Sequence, residues 1–361
     1  MIRLSGHQLF TLMLIFEIGS TTLFALGIEV EQDAWIVTLI ALLIGLCFVW
    51  IYTKLQNAFS GKNLVEIIMV LFGKILGIPL VIFYVCDCLW SVARSLREFG
   101  ELLIITSLPK TPFYIILILF LLTSTYALFK GTEVLARASE IVVPIMIFFI
   151  LISYILLILS KKLDFRNLLP VASSGILPML KAVPGIVMFP FGEIFIFFMY
   201  WCYVDKKEDI RKISMKAVLI SGILIIISSI VNISALGCKY TYVSTIPFIE
   251  SIKLINIGGI ITNIDIIAIL VILFGGFFKM SIYLNAIILI LKSLFKTQKY
   301  KSILIIFDIF LIIFSLNFEK NYIYHKWMVP FDALYFEIIY TNIIPIIMLI
   351  LYYVKKKRIR L

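Results

Sequence analysis

Residues Val183–Val204 read VPGIVMFPFGEIFIFFMYWCYV. The stretch is 22 residues long and apolar at almost every position, enough to cross a bilayer as a helix. Its middle, Phe189-Pro190-Phe191-Gly192-Glu193, does not suit a plain span. Pro190 lacks a backbone donor and drives Phe189 out of the helical region. Gly192 adds backbone freedom. Glu193 sets a carboxylate near mid-depth, where an unpaired charge costs at least ~3 kcal/mol. Interrupted backbone at that depth is tolerated only where protein or a wet cavity covers it. The stretch therefore predicts a discontinuous helix lining a site.

The rest of the chain agrees with a membrane setting. Of its 361 residues, 62% are hydrophobic and 15% charged, and mean hydropathy is +1.11. Soluble domains are about half apolar and about a quarter charged. The chain reads as an all-α polytopic membrane protein with the lipid bilayer as its surroundings. A net charge of +11 could suit nucleic acid, but the basic residues are scattered between apolar spans as loop charge, so no nucleic-acid partner is expected. Cys47, Cys86, Cys88, Cys202 and Cys238 lie in or beside apolar segments without CxxC spacing, which predicts neither a disulfide nor a zinc site. His7 and His325 are the only histidines and stand far apart, against histidine catalysis or a metal cluster. No P-loop, GxSxG, HExxH or dinucleotide fingerprint occurs in a suitable context. The chain is therefore not expected to be an enzyme or to carry a cofactor, and by itself it cannot hydrolyse ATP.

Ten spans can be drawn, near 8–30, 34–53, 78–106, 112–129, 138–160, 183–204, 214–237, 263–291, 301–318 and 340–354. Glu17 inside the first, and nine spans after it, oppose a signal peptide cleaved at Ala25-Leu26-Gly27. With the N-terminus in the cytoplasm, 20 of the 32 Lys and Arg residues fall in inner segments and nine in outer ones. That bias predicts both termini inside. The basic loop Lys161–Lys181 runs against it; the acidic first outer loop, with Glu29, Glu31 and Asp33, agrees.

An even span count with both ends inside allows one transmembrane domain over 1–361 made of two five-helix halves, about 8–160 and 183–354, of opposite orientation. Each half should then open on an interrupted helix. The first span supplies one: Phe16-Glu17-Ile18-Gly19-Ser20-Thr21-Thr22. Paired interruptions at matching places are the best sequence pointer to a transporter binding site.

Several groups are candidates for the site. At Gly19, Ser20, Thr21 and Thr22, an unwound helix exposes backbone N–H groups to a carboxylate, aided by the dipole of its outer half and by the hydroxyls; the alternative is a small-residue packing face. Glu193 either meets the amino group of a zwitterionic ligand or caps its own half-helix. Arg94–Glu98 and Arg97–Glu101 stand at i,i+4 in span three, as ion pairs in the bundle, as gate elements, or on an amphipathic end outside it. Lys279 lies near the middle of span eight and shares a face with Tyr283. Its ammonium either stands where other transporters hold a cation or partners Glu17 or Glu193. Glu133 and Arg137 suggest an ion pair at a cytoplasmic helix end, and Glu140 is a further candidate.

Three stretches resemble the spore germination permease family, the B subunits of endospore nutrient-germinant receptors within the amino acid–polyamine–organocation superfamily. They are the N-terminal SGHQLF with the glycine-interrupted first span, FPFGE in span six, and FGGFFKMSIYLNA in span eight. The resemblance covers nearly the whole chain. It implies a LeuT-like fold of ten transmembrane helices in a 5+5 inverted repeat, with helices one and six discontinuous. It also implies detection of a small nutrient, often an L-amino acid, in the spore inner membrane, with A and C receptor subunits as partners. Family binding positions carry over to Gly19 and its neighbours, to Phe189, Pro190, Phe191, Gly192 and Glu193, and to Lys279 and Tyr283.

Overall fold

Ser5 starts the first helix. In a computed structural model of the chain, its hydroxyl accepts from the Gln8 N–H while the Gln8 side chain accepts from the Ser5 N–H, closing a capping box. The structure describes residues 2–173, 175–257, 264–296, 300–318 and 336–356, with Tyr324 and Met328. His325 and the basic residues Lys299, Lys320, Lys326, Lys357, Arg358 and Arg360 of the orientation argument lie outside them.

The described elements are helical. They are α1 (Gly6–Thr21), α2 (Ala34–Ala58), α3 (Leu64–Thr106), α4 (Phe113–Lys130), α5 (Thr132–Leu159), α6 (Ile176–Met188), α7 (Ile210–Leu236), α8 (Cys238–Val243), α9 (Pro247–Lys253), α10 (Ile266–Phe295), α11 (Tyr300–Asn317) and α12 (Ile344–Lys355). Short 3₁₀ segments join them, notably Ile28–Asp33 and Phe191–Met199. Among the described residues, seven helical stretches are long and apolar enough to cross a membrane. α3 is two helices fused across Gly73, whose φ of +72° an L side chain resists.

α10 sits at the centre, packed on α3, α1 and α5, while α2 packs on α7 and α6. Residues such as Ile75, Leu122, Ile141 and Ile158 point outward and are exposed. An apolar exterior of this kind suits lipid, because it would be an aggregation hazard in water.

The loops meet in two groups. On one side the Leu4 N–H donates to the Tyr203 carbonyl at 2.9 Å, the Arg3 N–H reaches Glu133 at 3.0 Å, and Asn63 Nδ2 donates to Ser293 at 3.1 Å. On the other, the Asp164 N–H donates to the Ser234 carbonyl at 2.9 Å, the Ala172 N–H to Asp33 at 2.7 Å, and the Phe248 N–H to the Leu23 carbonyl at 3.3 Å. The basic loop 161–181 thus lies with the acidic loop 29–33, where the alternating spans assign both. Glu133 is engaged by the Arg3 backbone in place of the expected Arg137.

The first interruption differs from expectation. α1 runs unbroken through Gly19, Ser20 and Thr21 and stops at Thr22. The hydroxyl of Thr21 donates to the Glu17 carbonyl at 2.5 Å, and that of Thr22 to the Ile18 carbonyl at 3.0 Å. These hydroxyls bond back to carbonyls of their own helix, and the N–H groups of Gly19–Thr21 stay within its continuous run. Beyond Thr22 the chain is irregular and then forms a 3₁₀ segment at Ile28–Asp33, not an outer α-helix. The second interruption stands where the sequence puts it. α6 ends at Met188, Phe189 is extended at φ −123° and ψ 111° as the following proline requires, and the chain resumes as 3₁₀ helix at Phe191.

Candidate functional site

The broken stretch at Phe189–Glu193 delivers one carboxylate into the centre of the bundle. Glu193, in the first turn of the Phe191–Met199 segment, is buried and takes three donors. Lys279 Nζ of α10 lies 2.6 Å from Oε2. The Tyr283 hydroxyl, one turn further along α10, donates to Oε1 at 2.9 Å. Arg94 Nη2 of α3 approaches Oε1 at 3.4 Å. Charge-assisted bonds of this kind are about twice as strong as neutral ones.

Arg94 also reaches across to Glu337, with Nη1 3.0 Å from Oε1. It therefore pairs with acids on other segments rather than with Glu98 on its own helix. The i,i+4 expectation fails here because two interhelical carboxylates lie on the arginine's buried side, while Glu98 turns to a half-buried one. The second pair forms as expected: Arg97 Nη2 is 2.5 Å from Glu101, and its Nη1 donates to the Ser315 carbonyl of α11 at 3.2 Å. Glu337 went unread in the sequence, although a lone acid at the edge of the apolar run 340–354 was the available signal.

Lys279 is nearly enclosed, 2% exposed. Beyond Glu193, its Nζ reaches the Ser20 hydroxyl at 3.4 Å and sits 4.2 Å from the centroid of the Phe189 ring and 5.5 Å from that of Phe16. Aromatic faces at those distances favour a desolvated ammonium. Ser20 is thus the member of the Gly19–Thr22 group that faces the cluster. Gly19 serves contact instead: a Cβ there would fall 2.8 Å from the Gly275 Cα, so the two glycines let α1 and α10 touch backbone to backbone. Gly192 likewise lets Thr341 approach, with its Oγ1 3.0 Å from where a Cβ would stand. Phe191 is fully buried in the core.

A cavity of about 20 Å³ adjoins the cluster, lined by Tyr84, Asp87, Cys88, Glu193, Tyr283 and Glu337 among others. That is room for about one water. A larger, open recess of about 310 Å³ lies on the side of loop 161–181, bordered by Thr106, Tyr240, Glu250, Lys253 and Asp265. There the Glu250 carboxylate pushes the Tyr240 phenol up from its ordinary pKa.

This arrangement is an occluded ion cluster held by α1, α3, the broken sixth stretch and α10. The chain matches the family model described as spore germination protein over residues 3–323. It belongs to the spore germination protein family. Spore germination protein KB of Bacillus subtilis (strain 168) is 32% identical over 99% of this chain and 96% of its own length. Spore germination protein GerQB of Bacillus cereus is 25% identical over 71% of this chain and 74% of its own. Two solved structures share the fold. One is MhsT in complex with L-phenylalanine, with TM-score 0.70 and 14% identity, over 96% of this chain and 88% of that one. The other is Mhp1, a nucleobase-cation-symport-1 family transporter in a closed conformation with bromovinylhydantoin bound. Its TM-score is 0.65 and its identity 13%, over 100% of this chain and 80% of that one. The germination family member described here is thus a membrane protein, helical over its described elements, with a LeuT-type fold.

Proposed function

We propose that this chain is the membrane-embedded B subunit of a nutrient-germinant receptor, and that it detects a small zwitterion, an amino acid, at the Glu193–Lys279 ion pair. The observation that carries the reading is that pair itself, buried between an interrupted helix and α10 with a small cavity beside it. A zwitterion is complementary to such a pair once opened: its ammonium replaces Lys279 at Glu193, and its carboxylate takes the freed Lys279, with Arg94 behind. This assigns the ligand's carboxylate to side-chain cations rather than to backbone N–H groups of α1. Ligand entry would favour a conformer in which the pair is parted, and that population shift is the signal. L-phenylalanine bound in the MhsT structure supports an amino acid as the class of ligand.

The same reading places the chain in the spore inner membrane with both termini cytoplasmic, as a single domain of ten helices in a 5+5 inverted repeat, its first helix ending at Thr22 and its sixth broken at Phe189. A and C receptor subunits would receive the signal. The second reading is a secondary amino-acid transporter, favoured by the transporter fold of the neighbours. Spores carrying Glu193→Gln, assayed against a panel of L-amino acids, test the first: the response should fall far more than the amount of folded subunit. An undiminished response refutes it. Uptake of labelled amino acid by proteoliposomes holding this chain alone would favour the transporter.

A further inference from the structure

Glu17 lies beside the cluster without taking part in its bonds. It is on α1, one turn before Ser20 and Thr21, is fully buried, and neither of its carboxylate oxygens has a hydrogen-bond partner. The charges that act on it are Glu193, from the Phe191–Met199 segment, and Lys279, from α10. Tyr283, also from α10, packs on the neighbouring Phe16 with ring centroids 5.2 Å apart. The other elements packed on α1 bring their charges to its beginning. Glu133 and Glu140 of α5 contact Arg3 and Gln8, and Lys216 of α7 sits over Phe10.

Two carboxylates thus face one ammonium, and the ammonium is committed. Lys279 stands 2.6 Å from Glu193 and bonds the Ser20 hydroxyl on the α1 side. A second ionised carboxylate, desolvated and without a donor, is strongly unfavourable in such a place. A neutral acid there leaves a far smaller unsatisfied group.

We propose that Glu17 is a proton-binding site, which holds a proton while Lys279 is paired with Glu193 and releases it when the ammonium turns to α1. Charge balances across the step. The O–H bond of Glu17 breaks, the proton passes to water, and the carboxylate left behind becomes the partner of Lys279. When a zwitterion's ammonium takes the vacated place at Glu193, its carboxylate joins that of Glu17 at Lys279, with Arg94 behind, and one proton leaves for each ligand that enters. That last exchange rests on the ligand reading above; the proton on Glu17 does not.

The test therefore uses the full chain in lipid vesicles with no ligand, read by infrared spectroscopy at neutral pH. The wild type should show the carbonyl stretch of a protonated carboxyl, shifted down in D2O. Glu17→Gln should abolish it, and Lys279→Met should keep it. Glu193→Gln should also abolish it, although Glu17 is intact, because Lys279 then has only Glu17 to pair with. Absence of the band in the wild type, or its survival in Glu17→Gln, overturns the proposal; survival in Glu193→Gln overturns the sharing of one ammonium. A second readout is independent of the spectrum. Gln has the shape of the neutral acid, so Glu17→Gln should leave the thermal midpoint of the protein unchanged at neutral pH, and a lowered midpoint counts against a neutral Glu17.

Discussion

Replacing Glu193 by Gln removes one negative charge and keeps the side chain's length and planar end. In the native chain that carboxylate accepts from Lys279 at 2.6 Å, Tyr283 at 2.9 Å and Arg94 at 3.4 Å. An amide oxygen can keep one of these donors, while its NH₂ faces groups that are themselves donors. Breaking a buried ion pair from one side costs about 3–5 kcal/mol, because the partner charge is left uncompensated. Two features of the cluster soften the loss. Arg94 retains Glu337 at 3.0 Å, and Lys279 can turn to Glu17. The single change should therefore cost about 3 kcal/mol, the low end of that range. Glu17→Gln added to it removes the fallback, and the pair of changes should cost about 1–3 kcal/mol more than their sum. Equilibrium unfolding of the purified chain in mixed micelles, titrated with a denaturing detergent and followed by tryptophan fluorescence, measures all three variants. A Glu193→Gln protein within about 0.5 kcal/mol of wild type would refute the ion pair, since only surface changes behave so. Strict additivity with Glu17→Gln would refute the fallback.

Other consequences are simpler. Gly275→Val places a branched side chain where α10 touches the Gly19 backbone; overpacking should cost about 1–3 kcal/mol and lower the yield of monodisperse protein extracted in mild detergent. Arg97→Lys can keep the bond to Glu101 or the bond to the Ser315 carbonyl, not both, so it should lose about 1–3 kcal/mol in the same unfolding titration. Tyr52→Phe removes the hydroxyl that donates to the Thr341 carbonyl and should cost about 1 kcal/mol; a cost near zero would mean that the carbonyl finds another donor.

The parts of this fold legible in the sequence are those governed by local sterics and by the cost of charge in lipid. A proline inside an apolar run forces its predecessor to be extended, and Phe189 is. A lone acid or lysine amid apolar residues must turn inward, and Glu193 and Lys279 do. The break at Gly19–Thr22 was misplaced because two threonine hydroxyls can either serve a ligand or bond the carbonyls of their own helix, and composition does not distinguish these. At Gly19 the packing-face alternative holds, and the contact depends on Gly275, 256 residues away.

By itself, then, the sequence determined the membrane class, the polar positions that had to be buried and the place where the sixth stretch breaks. Each follows from the chemistry of residues close together in the chain. Tertiary structure alone decided which charge meets which. Arg94 has Glu98 one turn away on its own helix, yet binds Glu193 and Glu337. Packing fixes how each helix is rotated about its axis, and that rotation sets which carboxylates face a guanidinium. Glu17 became a buried acid without a hydrogen-bond partner for the same reason.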